Sequence, residues 1–386
     1  MSAGKATARA APIALIAGSV LLSLAVLELG GRLLTLGPQS LQHWPNLARQ
    51  MMNDGDSDGD GDGGCSYLHD ATLGWSLRPN CASSGFNVGS DGFRRPPAQS
   101  QSPAAEPPVL ATGSSFTVGI EVADEETWPA YLQDFSGRKV VNAGVSGYSL
   151  DQTVLQTERL APQVKPLVIV VGFTPGDIWR TELSVAYSRE KPAFAVTGDR
   201  LELSNVPIPR RSRPALPVAA RWLGWSSLAH EVVERLGIRD GWYYDETRAT
   251  PPGTGDTISC LLMPRLAALG VPVVVLAQYG RGYWGADAQY KARAIGATRK
   301  VLDCAEKAGL LAIDLAPPLE DAIKARGLPA LFHSEHHSAE GNRVVSDLIL
   351  QELDRRKLLP PATARAEGPD ARLLLPVRGA SAPAHP

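Results

Sequence analysis

The stretch Leu167–Phe173, LVIVVGF, constrains this chain more than any other. Seven residues with no charged or amide side chain, mostly β-branched, suit a strand covered on both faces. Such a strand needs helices above and below it, and the chain supplies them in alternation. Short apolar runs at Val109–Thr112, Lys139–Ala143, Val271–Ala277 and Leu311–Leu315 predict further strands. Between and around them, helical spacing is read over Glu125–Phe135, Ser149–Leu160, Asp256–Leu269, Lys291–Ala308 and Ala339–Arg356. Strand and helix in turn argue for a parallel α/β sheet. With 386 residues and 44% hydrophobic content the chain can bury a substantial core around it.

The flanks read differently. Lys5 and Arg9 precede an apolar run from Ala10 to Leu27, extended by Leu29. About 20 apolar residues span a bilayer as a helix, and basic residues keep their end in the cytoplasm. Residues 1–9 are therefore expected to be cytoplasmic, 10–29 a transmembrane anchor, and the remainder periplasmic or extracellular. A cleaved signal peptide is the competing reading. Residues 30–107 form a juxtamembrane region of weak periodicity. Within it Asp54–Gly64 (DGDSDGDGDGG) imitates half a calcium loop, but Cys65 stands where the closing Glu belongs, so an acidic linker is preferred. The main domain is expected over 108–357. An insertion at 178–255 contains a hairpin around Gly198-Asp199 and a helix at Ser227–Leu236. Residues 358–386, rich in Pro and Ala, read as a disordered tail. A net charge of −2, without an aromatic-interleaved basic patch, gives no electrostatic case for nucleic acid.

Four cysteines suit an oxidising compartment, as two disulfides. The metal alternative finds no CxxC pair. Cys260 and Cys304 lie on helices leading into the fourth and fifth strands, and right-handed crossovers place those helices side by side. Cys65 and Cys81 bracket a short segment ahead of the domain.

A hydroxyl attacks an ester only when a base takes its proton and donors meet the oxyanion. Gly113-Ser114-Ser115-Phe116-Thr117, directly after the first strand, resembles the GDSFT block of the SGNH (GDSL-type) hydrolase family. Val122–Pro129, Val141–Ser149, Val170–Asp177 and His336–Arg343 resemble its later segments in order. Leu73–Arg95 is similar to the preface of membrane-anchored members. The resemblance covers roughly residues 70–357. It implies a flavodoxin-like three-layer α/β/α domain with five parallel strands ordered 2-1-3-4-5. It puts Ser115 on the nucleophile, His336 on the base, the N–H groups of Ser115 and of Gly144 (the second-block glycine) on the oxyanion, and Gly176 on the family's oxyanion Asn.

Departures accompany it. Ser114 replaces the Asp before the nucleophile, and Gly176 lacks the amide donor. No Asp precedes His336 by two or three residues, which leaves Glu335 or His333 as the acid or orienting residue. Two functions are weighed. One is an extracytoplasmic acyl-ester hydrolase or O-acyltransferase on acylated envelope or exported polysaccharide, requiring neither metal nor organic cofactor. The other is a catalytically degenerate module binding a glycan or a protein partner.

Overall fold

The computed structural model describes residues 3–44, 46–48, 64–95, 106–209, 217–236, 238, 242 and 246–359. The acidic segment, apart from Gly64, and the tail beyond Leu359 lie outside the described residues.

Five strands, β1 (Val109–Thr112), β2 (Val140–Asn142), β3 (Val168–Phe173), β4 (Val273–Ala277) and β5 (Leu311–Asp314), form one parallel sheet in the order 2-1-3-4-5. Along the chain run helices α1 (Ala3–Thr35), α2 (Trp128–Ser136), α3 (Leu150–Val164), α4 (Val218–Leu223), α5 (Ser227–Leu236), α6 (Gly255–Ala267), α7 (Ala288–Lys307) and α8 (Ala339–Arg355).

The two-residue period of the strands sorts the core into two layers. Leu110, Ile169, Val171, Val273 and Val275 pack with Leu150 and Val154 of α3, Leu262 and Leu266 of α6, and Val301 of α7. Val109, Ala111, Val168, Val170, Val274 and Leu276 pack with Trp128 and Leu132 of α2 and Val345, Ile349 and Leu353 of α8. The flavodoxin-like three-layer fold is thus present. Helices α6 and α7 share a face, and the Cys260–Cys304 disulfide joins them with Cα atoms 5.2 Å apart.

Local chemistry sets the helix ends. Thr127 accepts the Ala130 N–H at 3.2 Å and Pro129 sits in the first turn, so α2 starts at Trp128 rather than at Glu125. Ser338 caps α8 by accepting the Gly341 N–H at 3.1 Å. Helix α3 runs past the expected Leu160, accommodating Pro162 in its last turn and ending on Lys165 in the left-handed region.

Residues 64–95, read from sequence as part of a weakly periodic juxtamembrane region, fold onto the domain. A hairpin (Tyr67–Asp70 with Gly74–Leu77) and a shorter one (Ala82–Ser83 with Phe86–Asn87) place Leu73, Trp75, Leu77, Phe86 and Val88 in the main core. Strands of two to four residues are too short to register as a pattern. The Cys65–Cys81 disulfide, Cα atoms 5.7 Å apart, fastens this layer.

The insertion forms the hairpin Ala193–Thr197 with Arg200–Ser204, turning at Gly198-Asp199, and a small sheet of Leu183–Ala186, Arg189–Glu190 and Thr247–Arg248. A fully buried ion pair ties it to the body. Lys191 Nζ donates to Asp151 Oδ2 at 2.8 Å and to the carbonyls of Leu183 (2.9 Å) and Pro192 (2.7 Å). Every proton of the ammonium has an acceptor, which is what lets a charge sit out of water. Lys191→Met leaves the Asp151 carboxylate buried without its counter-charge. The expected cost is about 3–5 kcal/mol, measured by urea unfolding; a loss below about 1 kcal/mol would mean water reaches the pair.

Candidate active site

Ser115 opens a single helical turn, Ser115–Val118, directly beyond the C-terminal end of β1. The turn is tight because Gly113 has no side chain; a Cβ there would strike Thr117 Oγ1 and the Gly172 carbonyl. Ser114 makes no side-chain cap on the turn. Its hydroxyl donates instead to Asp177 Oδ2 at 2.9 Å, linking the β1 and β3 loops. The same carboxylate oxygen accepts the Thr174 N–H at 2.8 Å.

His336 arrives from the far end of the chain, on the turn before α8. Its Nε2 lies 2.8 Å from Ser115 Oγ. The turn is closed by the His333 N–H donating to the His336 carbonyl at 3.0 Å, and the ring of Phe116 packs against the imidazole with centroids 4.6 Å apart. Ser115 and His336, paired from sequence, are therefore brought together.

The carboxylate that meets His336 belongs to a residue the sequence did not disclose. Glu121 Oε1 lies 3.0 Å from His336 Nδ1. Its carboxylate also accepts the Ser334 hydroxyl at 2.5 Å and the His336 N–H at 3.4 Å. Burial pushes the Glu121 carboxyl up. Hydrogen bonds from Ser334 and His336, with the imidazole's charge, outweigh it and lower the group from 4.5 to about 2. Glu121 is thus ionised at neutral pH, the state that fixes the Nδ1–H tautomer and leaves Nε2 facing the serine.

Glu335 and His333 take other work. The Glu335 carboxylate turns to the Gly280–Gly282 loop and accepts the Gly282 N–H at 3.1 Å, while its carbonyl accepts the Arg281 N–H at 2.8 Å. The His333 carbonyl accepts from Arg281 Nη1 at 2.6 Å. Adjacent positions on a tight turn point apart, so proximity in sequence to His336 did not translate into contact. Nothing in spacing or period marks Glu121, which sits between two short helical turns at φ +71°.

The backbone strain of that position is held by Arg94. Its buried guanidinium donates to Asp124 Oδ1 at 2.7 Å and to the carbonyls of Val118 (2.8 Å), Gly85 (2.8 Å) and Val122 (2.7 Å), as well as Gly119.

The glycine assignments change as well. The Gly144 N–H is already given to Asn142 Oδ1 at 3.1 Å, and the residue lies flat against the backbone of Thr117 and Val118. It cannot also bind an oxyanion. The N–H groups of Ser115 and of Gly147, at φ +78° on the same β2–α3 loop, meet no acceptor among the described residues. Val145 holds this loop against the nucleophile turn by donating to the Gly113 carbonyl at 3.0 Å. At Gly176 the missing side chain leaves space that is occupied: Arg180 Nη1 lies 3.1 Å from where a Cβ would be. Arg180 Nη2 pairs with Asp177 and reaches the Tyr148 carbonyl at 3.4 Å. Among the described residues, no group of three or more His, Cys, Asp or Glu is placed to hold a metal ion.

No family model matches the sequence, and no curated protein matches it. Solved structures do. The chain is similar to an α/β hydrolase enzyme from the metagenome of Lake Arreo, Spain (15% identity, TM-score 0.41, 64% of this chain and 95% of that one). It is similar to a lipase/acylhydrolase from Enterococcus faecalis (15%, 0.38, 67% and 100%). A third likeness is to Axe2, an acetylxylan esterase from Geobacillus stearothermophilus (14%, 0.36, 64% and 93%).

His337 stands beside the site without joining it. It is buried against Phe116 and Phe332, neither ring nitrogen has a partner among the described residues, and burial, then the neighbouring His336, lowers it from 6.5 to about 3. Above pH 6.5 it is neutral whether folded or unfolded. Below that, the unfolded chain takes up a proton that the folded one refuses until about pH 3, so stability falls with pH across this window. His337→Phe should flatten the fall by up to ~1.4 kcal/mol per pH unit, read from urea unfolding at stepped pH. An unchanged slope would show that His337 charges within the fold.

Proposed function

We propose that this chain is an extracytoplasmic, membrane-anchored serine acyl-ester hydrolase or O-acyltransferase of the SGNH type, acting on acylated envelope or exported polysaccharide. The observation that carries the enzyme reading is the 2.8 Å approach of His336 Nε2 to Ser115 Oγ, with Glu121 on the opposite ring nitrogen. A binding module has no need of a hydroxyl, an imidazole and an ionised carboxylate in line. The envelope location is supported by the apolar helix Leu15–Thr35 and the two disulfides. The saccharide is supported by the sequence resemblance alone.

In this reading His336 Nε2 takes the Ser115 proton as Oγ attacks the ester carbonyl carbon. The carbonyl π-electrons move to oxygen, where the N–H groups of Ser115 and Gly147 receive the charge. Arg180, in the space the family gives to its Asn, supplies the third donor as a cation. Collapse breaks the bond to the leaving alcohol, which takes the proton from His336 and leaves an acyl group on Ser115. Water or a sugar hydroxyl, deprotonated by the same imidazole, then attacks the acyl carbon and restores the serine. Glu121 holds the imidazolium throughout without itself taking the proton.

A fluorophosphonate probe should label the purified protein, and Ser115→Ala should abolish the labelling. A wild type that is folded yet unlabelled would overturn the enzyme reading. Glu121→Gln should lower kcat on p-nitrophenyl acetate by between about tenfold and 10⁴-fold; unchanged turnover would remove Glu121 from the machinery.

Arg180→Ala should cost about 10²–10³ in kcat, the range of a single oxyanion donor, with KM little moved. Gly176→Asn alone must displace the guanidinium and should gain nothing. In the Arg180→Ala background the amide has room and should recover part of the loss. A double variant no faster than Arg180→Ala, with a native melting temperature, would deny this position to the oxyanion.

A further inference from the structure

We infer that the helical part of the insertion, α4 and α5, is a membrane-seated foot that rests in the interfacial layer of the bilayer crossed by α1. The inference rests on α1 being a retained span, and its experiment separates that premise from the foot.

The apolar stretch of α1 runs Leu15–Thr35, somewhat beyond the 10–29 read from sequence, and almost none of it is covered by the rest of the protein. Its last turns are different. Glu28 caps the start of α5, accepting the Ser227 N–H at 2.7 Å, the Leu228 N–H at 3.1 Å and the Ser226 hydroxyl at 2.7 Å. Arg32 Nε donates to Glu28 Oε1 at 2.9 Å, its Nη2 to the Trp225 carbonyl, and its guanidinium stacks 3.7 Å from the Trp44 ring centroid. Arg32 has no exposed surface at all. An acid and a base inside an apolar span are costly unless paired internally, and here the start of α5 and the Trp225 carbonyl take up most of their hydrogen bonds. The foot therefore travels with the span: α5 starts level with Glu28, about 10 Å before Thr35 at 1.5 Å per residue. The apolar run begins at Ala10, so Glu28 stands about 27 Å along it at 1.5 Å per residue, near the far edge of a hydrocarbon core about 30 Å thick.

The outer surface of the foot matches that depth. Trp222 is 76% exposed, Leu236 66%, Leu223 54%, Ile238 52% and Trp225 49%. Large apolar side chains exposed in this number on one short segment mark an interaction site. Tryptophan combines an apolar body with an N–H that prefers the headgroup layer. The start of α5 is bonded to the last turns of α1, which carry exposed apolar side chains of their own, Leu34 being 89% exposed. One lipid surface covers both without a second partner.

The contacts of Glu28 and Arg32 also bear on the leader alternative, because cleavage after the span would remove two residues that the folded insertion uses.

The test uses the full-length chain in phosphatidylcholine–phosphatidylglycerol nanodiscs carrying lipids brominated near the headgroup end of the acyl chains. Bromolipid should quench the tryptophan emission. Trp222→Phe with Trp225→Phe should remove most of that quenching, and Trp179→Phe should leave it. The double variant and the wild type should turn over p-nitrophenyl acetate equally, since neither Trp222 nor Trp225 contacts Ser115, His336 or Glu121 among the described residues. Release of the chain from membranes by alkaline carbonate would overturn span and foot together. Retention of the chain with no bromolipid quenching attributable to Trp222 and Trp225 would overturn the foot alone. If that retained double variant also shifted from dimer to monomer in detergent, the patch would be an interface between copies rather than a lipid contact.

Discussion

A buried guanidinium governs the geometry of the site. Arg94 belongs to the layer that precedes the sheet, yet its hydrogen bonds end on the loop that follows the nucleophile turn. A planar cation with five donors can satisfy several buried carbonyls at once, and each of them would be costly left alone. That convergence fixes a loop with no regular structure of its own and holds Glu121 at a positive φ that a non-glycine residue does not adopt freely. The placing of Glu121 against His336 Nδ1 therefore depends on a side chain from outside the sheet.

Where the sequence departs from the pattern it resembles, other side chains occupy the place. Where the pattern has an Asp before the nucleophile, Ser114 offers a hydroxyl, and Asp177 on the next strand's loop offers the carboxylate that receives it. Where the pattern has an Asn, the chain has no side chain, and Arg180 from one turn further along occupies the opening. Ser114 and Asp177 bridge the ends of β1 and β3, while Arg180 links the β3 loop to the Tyr148 carbonyl of the β2–α3 loop.

The insertion joins these two levels. Lys191 and Asp151 anchor its near end in the core by a fully satisfied charge pair, and Glu28 and Arg32 anchor its far end to the apolar helix.

The sequence determined the layers, because burial on both faces of a strand and the helical period are local properties that each segment carries in its own residues. Leu167–Phe173 announced a central strand, the Ser115 turn followed from Gly113 and its neighbours, and the cysteine pair on α6 and α7 followed from the handedness of crossovers. Short pieces escaped: Tyr67–Asp70 and Phe86–Asn87 are too brief to show a period, though Trp75 and Phe86 help close the core. Only the tertiary structure decided which carboxylate serves His336, which glycine has a free N–H, and what fills the space beside Gly176. Glu335 is adjacent to the histidine and turns away; Glu121 is remote in sequence and reaches it. Gly144 fits the motif and has spent its N–H on Asn142. Hydrogen bonds are directional over about 3 Å, so partners are set by where loops from different strands meet, which no one-dimensional pattern records.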